Sequence, residues 1–247
     1  MTYVISDLHG YPLKRLQELL AQAKFGQEDV LYILGDVIDR NGDGGVEMLC
    51  WILSQKNVHL ILGNHEAMLL CCAFLFEKPK QRKYHTVELE NLDKYQKSGG
   101  SVTLNALKTL DQTNPETVAA IFDALRQAPL YREATVGTQK YLLLHGGLEN
   151  FRKDRAISDY TEEEILWAWP ELTDSYYDDV ITVFGHTPTM SYGSQYRGKI
   201  LRTRTWIDID AGAGWGLEPI LLRLDDMQQF QNKTDGRLLY KGLFSPH

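Results

Sequence analysis

YVISDLHG at residues 3–10, VLYILGDVIDR at 30–40 and VHLILGNHE at 58–66 follow one pattern: a short apolar, β-branched run stops abruptly at polar residues. Such runs of four to six residues read as buried strands. YLLLHGG at 141–147 and ITVFGHTP at 181–188 repeat the pattern later in the chain. Between the early runs the apolar spacing changes to that of a helix, with Leu13, Leu16, Leu19, Leu20 and Ala23 behind Pro12, and then Val46, Met48, Leu49, Ile52 and Leu53. Alternating strand and helix specifies an α/β fold. An open α/β sheet gathers its ligands at the carboxyl ends of its strands, so the polar residues ending these runs are expected to converge.

With 247 residues, 43% of them apolar, the chain is read as a single domain with an ample core. Its formal net charge of -7 gives no basic field to attract nucleic acid or an anionic membrane, and neither is expected as a partner. Three cysteines, two of them adjacent at Cys71 and Cys72, form neither a disulfide framework nor a zinc spacing. The longest apolar stretch, Ala67 to Phe76, is too short to span a bilayer, and no charged leader precedes the first run. A soluble, cytoplasmic protein is expected. From Glu77 to Gly100 the chain turns polar and charged, with KPKQRK at 78–83, and helical patterns follow around Leu104–Leu110 and Val118–Leu125. An inserted helical cap over roughly 77–128 is predicted. WIDIDAGAG at 206–214 and PILLRLDD at 219–226 read as late strands of a second sheet packed on the first.

The strand ends carry residues of one chemical kind. Asp7 and His9, two apart in an extended backbone, point to one face and can share a cation. Asp36 is placed to coordinate, while the planar guanidinium of Arg40 suits two phosphoryl oxygens at once. Asn64 offers a neutral carbonyl oxygen to a metal. His65 next to it should project elsewhere and, paired with Asp39, serve as a general acid. His145 and His186 add two imidazoles. A lone histidine is usually structural, but five strand ends each presenting a metal-type ligand call for a common explanation.

SDLHG, GDVIDR, GNHEAM, LLLHGGL and VFGHTP, in that order, resemble the calcineurin-like metallophosphoesterases, most closely the serine/threonine phosphoprotein phosphatase branch of bacterial and bacteriophage type. The likeness runs weakly on through IDIDAGA at 207–213. The resemblance implies a four-layer α/β/β/α sandwich with two divalent metal ions, manganese first and iron or zinc as alternatives. It places Asp7, His9 and Asp36 on one ion and Asp36, Asn64, His145 and His186 on the other, with Asp36 bridging. Two divalent cations against the carboxylates of Asp7 and Asp36 leave the site electropositive, which suits a phosphate dianion. The implied reaction is phosphomonoester hydrolysis by direct attack of a metal-bridging hydroxide, without a covalent phosphoenzyme.

The chain departs from the family pattern twice. GDVIDR runs on into Asn41-Gly42-Asp43-Gly44-Gly45, where relatives continue with glycine at once or with Gly-Pro. Bacterial relatives often carry a second phosphate-binding arginine in a Leu-Trp-x-Arg stretch. Here Leu166-Trp167-Ala168-Trp169 ends in tryptophan, whose face could stack on a flat leaving group. The leading expectation is a protein phosphatase acting on phosphorylated protein or peptide, or on a small phosphoester. The alternative is a dinucleoside polyphosphate hydrolase of the diadenosine tetraphosphate type. A non-catalytic metal-binding scaffold gains nothing evident from Asp39, Arg40 and His65.

Overall fold

The computed structural model describes residues 1–77 and 83–233; most of the KPKQRK run lies outside them. The first apolar run forms β1 (Thr2–Ile5), which pairs in parallel with β2 (Val30–Ile33), Ile5 opposite Ile33. β2 pairs in parallel with β3 (Val58–Leu60). The crossovers are α1 (Leu13–Gln22) and α2 (Val46–Ser54). After β3 come α3 (Asn64–Cys71), α4 (Thr86–Tyr95), α5 (Ser101–Thr113) and α6 (Pro115–Gln127). The chain then builds a second sheet from β4 (Tyr131–Val136), β5 (Gln139–Leu144), β6 (Val180–Phe184), β7 (Leu201–Arg202) and β8 (Trp206–Asp208), with α7 (Glu162–Leu166) between β5 and β6. Its order is β4-β5-β6-β8-β7, parallel from β5 through β8 and antiparallel at both edges.

The last apolar stretch does not join the second sheet, as its pattern led one to expect. The PILLRLDD stretch forms β9 (Leu221–Arg223), and β9 leaves the second sheet to lie antiparallel beside β1, followed by β10 (Gln228–Phe230). Leu221 packs among the helices and Leu222 between the sheets. The stretch therefore suits any slot buried on both faces, and its pattern does not choose the sheet.

Side-chain alternation produces the layers. Tyr3 and Ile5 face one way, into a core with Leu16 and Leu19 of α1 and Leu49 and Ile52 of α2. Val4, between them, faces Leu143, Val183 and Ile207 of the other sheet. On the far side of that sheet, Leu142 and Leu144 pack on Ile165 and Leu166 of α7. The result is helices, sheet, sheet, helix. A one-residue slip of β1 would exchange its two cores, and each fully buried aliphatic side chain contributes about 1.5–3 kcal/mol, so the register is strongly held. The segment expected as a cap supplies Leu104 and Leu107 of α5 and Ile121 and Leu125 of α6 to the same core as α1 and α2. No helix among the described residues is long and apolar enough to cross a membrane.

Candidate active site

The strands stop short of the polar residues, and the loops beyond them take a conformation that the sequence pattern does not announce. Asp7 and His9 do not lie in extended backbone: their φ angles are 53° and 42°. Among the described residues, nine non-glycine residues have positive φ, and six belong to the predicted set: Asp7, His9, Asp36, Asp39, Arg40 and His186. Strained backbone of this kind persists where the surroundings enforce it. Here the first two loops are zipped together, His9 N donating to Asp36 O at 2.9 Å and Gly10 N to Val37 O at 2.8 Å. The buried Glu66 carboxylate accepts backbone N–H groups from Asp36 (2.8 Å), Val37 (2.9 Å), Ile38 (3.3 Å) and Gly63 (3.1 Å). Glu66 received no role from sequence, although its place three residues after Gly63 is a helix-start signature. Gly35 (φ 82°) sits where a Cβ would lie 2.5 Å from Gly63 Cα and 2.7 Å from His145 Nδ1, so the loops meet only because it is glycine.

Two clusters result, with Asp36 in both. The ligand atoms of His9, Asp36 and His65 lie within 4.8 Å of one another, as do those of Asp36, His145 and His186. His145 Nδ1 donates to Leu34 O at 2.8 Å, and His9 Nδ1 donates to Ile38 O at 3.0 Å. Each Nε2 faces the Asp36 carboxyl group, at 3.4 and 3.6 Å respectively. Burial, with Arg40 nearby, keeps His9 well below the ordinary histidine pKa. Burial, with His145 nearby, pushes His186 down to about 2. Burial likewise raises Asp36 well above the usual carboxylate range. Neutral imidazoles such as His9 and His186 keep a ring-nitrogen lone pair that a cation could take, and Asp36 offers its oxygens to the same place. The Asn64 amide, 2.8 Å from His145 Nε2 and 3.1 Å from His186 Nδ1, can turn its carbonyl to such a cation. Among the described residues His186 Nε2 is buried with no hydrogen-bond partner. The donor set fits divalent metals. Asp7 stands beside the clusters, its Oδ2 accepting His186 N–H at 2.9 Å, and belongs to neither three-residue group.

His65 turns away from Asn64, as neighbouring residues at a helix start must. Its Nδ1 lies 2.6 Å from Asp39 Oδ2, and its Nε2 lies 3.3 Å from Arg40 Nη2. Asp39, expected as the partner of His65, has two further donors that sequence reasoning missed: its Oδ1 accepts Tyr95 Oη at 2.6 Å and Thr103 Oγ1 at 2.5 Å. Both donors come from the segment read as a cap. The same segment holds Arg40, whose N–H donates to Gly99 O at 3.2 Å.

A cavity of about 390 Å³ opens over these groups. His9, Asp36, Arg40, Asn64, His65 and His186 line it, together with Trp167, Trp169 and Trp215. Trp169 is therefore at the site, its ring 5.8 Å from that of His186. Trp215 and the buried Asp210, which also lines the cavity, were not foreseen; IDIDAGAGWG at 207–216 carried the only signal. Arg152, Arg155 and Arg197, each of which could have replaced the second phosphate-binding arginine that this chain lacks in its Leu-Trp-x-Arg stretch, do not line it. Arg155 is instead engaged by both oxygens of Glu164, at 2.7 Å each.

The calcineurin-like phosphoesterase pattern matches residues 2–209. The chain is a calcineurin-like phosphoesterase. It is accordingly a metal-dependent phosphoric ester hydrolase, and members of this family use a dinuclear site of divalent ions. One relative of this phosphoesterase, named symmetrical bis(5'-nucleosyl)-tetraphosphatase, from Serratia proteamaculans (strain 568), is 25% identical over 288 residues, covering 98% of this chain and 97% of the relative. A relative of the same name from Haemophilus influenzae (strain PittGG) is 39% identical over 83 residues, which is 33% of this chain and 30% of that protein. Among solved structures, one proposed to be a diadenosine tetraphosphatase has a TM-score of 0.59 at 20% identity, covering 94% of this chain and 92% of the other. A cold-active protein-tyrosine phosphatase of a psychrophilic Shewanella species has a TM-score of 0.52 at 20% identity, covering 93% and 79%. At such identities the structural likeness shows the fold alone.

Proposed function

We propose that this phosphoesterase hydrolyses dinucleoside polyphosphates, with diadenosine tetraphosphate as the representative substrate. The observation carrying this reading is the relative named symmetrical bis(5'-nucleosyl)-tetraphosphatase, which aligns with 98% of the chain and 97% of its own length. The protein-phosphatase branch, first in the expectation from sequence, gives way to this alternative. Three indoles at the mouth of the cavity suit a substrate with flat rings better than a phosphoserine peptide.

In this reading Asp7, His9, Asp36, Asn64, His145 and His186 would hold two divalent ions. When bound, the ions polarise phosphoryl oxygens and acidify water. Arg40 lays its guanidinium fork on phosphoryl oxygens. At rest its Nη2 stands 3.3 Å from His65 Nε2, so a phosphate that draws Arg40 away frees that nitrogen to carry a proton. Asp39, 2.6 Å from Nδ1, then holds the ring in orientation and steadies its positive form. His65 delivers the proton to the leaving oxygen.

The deciding experiment compares metal-loaded protein on diadenosine tetraphosphate and on phosphoserine, phosphothreonine and phosphotyrosine peptides. We expect kcat/KM to be highest for the dinucleotide, with ADP as the product of symmetrical cleavage. A higher kcat/KM on any of the peptides would reject the reading.

A further inference from the structure

Three of the chain's five tryptophans, Trp167, Trp169 and Trp215, are exposed by 43%, 60% and 43%, and all three line the one cavity over the metal ligands. Trp206 is fully buried and Trp51 half-buried. An indole left in water forgoes a large burial gain, so three converging on one cavity call for a ligand.

They stand on two sides. The Trp167 and Trp169 rings stand nearly perpendicular to the His186 ring, with centroids 5.9 and 5.8 Å away and interplanar angles of 84° and 83°. Trp215 packs on the opposite group, the Arg40 guanidinium lying over its ring at 5.5 Å. Its backbone is pressed in as well: a Cβ on Gly214 would come 2.5 Å from His9 Cδ2 and 2.6 Å from Arg40 Nη1. One indole wall thus flanks the Asp36–His145–His186 cluster, and the other flanks His9, His65 and Arg40. A cavity of about 390 Å³ is within the range of small-molecule sites, about 300–1,000 Å³.

We propose that Trp215 on one side and the Trp167–Trp169 pair on the other are two base-stacking walls, each receiving one nucleobase of a dinucleoside polyphosphate whose central phosphates cross the metal ligands. The inference deepens the functional reading above and rests on it for the two-base substrate. A molecule with a base at each end and its scissile bond in the middle matches this arrangement. A phosphoserine peptide offers a ring to neither wall.

The test begins with calorimetric binding of ADP and inorganic pyrophosphate to metal-loaded protein. ADP is expected to bind about threefold to tenfold more tightly, the worth of one stacking contact. The Trp169→Leu/Trp215→Leu double variant should lose that preference, and a Trp169→Phe/Trp215→Phe protein should keep most of it. On diadenosine tetraphosphate, Trp169→Leu and Trp215→Leu should each lower kcat/KM about threefold to tenfold, and the double variant by the product of the two, because the walls serve different bases. Equal binding of ADP and pyrophosphate by the wild type, or unchanged dinucleotide turnover in Trp215→Leu, overturns the proposal. If the wild type prefers ADP through these tryptophans but does not cleave the dinucleotide, the walls stand as base-binding and the functional reading falls.

Discussion

Tyr95→Phe removes one oxygen atom from a residue that does not line the cavity, and the structure sets the size of its effect. The Tyr95 hydroxyl donates to Asp39 Oδ1 at 2.6 Å, and both residues are fully buried. Burial and the charge of Asp39 push the phenol pKa well above its ordinary value, so the hydroxyl keeps the proton that it donates to Asp39. A hydrogen bond to a charged group contributes about 1.5–3 kcal/mol, and the lost oxygen leaves the ring packing unchanged. For a chain of this size each kcal/mol moves Tm by about 2–4 °C, which gives an expected fall of about 3–12 °C. Thr103 Oγ1 donates to the same oxygen at 2.5 Å, so Tyr95→Phe and Thr103→Val should be non-additive in a double-mutant cycle followed by urea unfolding. Because Asp39 orients His65, kcat should fall while KM changes little. An unchanged Tm, or strictly additive losses, would refute the role of Asp39 as a shared acceptor.

His65→Asn should cost about 10²–10⁴ in rate on an alkyl phosphate and much less on p-nitrophenyl phosphate, whose leaving group needs no proton. Steady-state kinetics on the pair checks this, and equal losses would give His65 another role. Glu66→Gln replaces an acceptor of four backbone N–H groups by an amide that turns a donor toward some of them. Each N–H left unsatisfied costs about 1–3 kcal/mol, so urea unfolding should show a loss of at least that size together with weakened metal retention; full stability would contradict the assignment of Glu66 as the organiser of the loop.

The strand ends were legible in sequence because a buried strand is a continuous apolar run and the residue that stops it is conspicuous. Hence Asp36, Asn64, His145 and His186 could be named, and the structure brings them together. Asp7 and His9 reach the site through positive φ, which Asp and His tolerate but do not advertise, and not through strand alternation. Contacts across long stretches of chain left no local trace. Tyr95 and Thr103 reach Asp39 from 56 and 64 residues away. β9 returns to the first sheet because antiparallel pairing beside β1 is open to it, a choice its leucines do not encode. Trp215 was invisible as well, since an exposed indole and a core indole look the same in a sequence.

Metal content per chain, measured by mass spectrometry after reconstitution and desalting, tests most directly whether lone pairs converging on Asp36 make a two-cation site. The wild type should retain two divalent ions, and Asp36→Asn should lose both, along with turnover. A wild type that retains at most one ion, or an Asp36→Asn protein with two ions and normal turnover, would contradict the account.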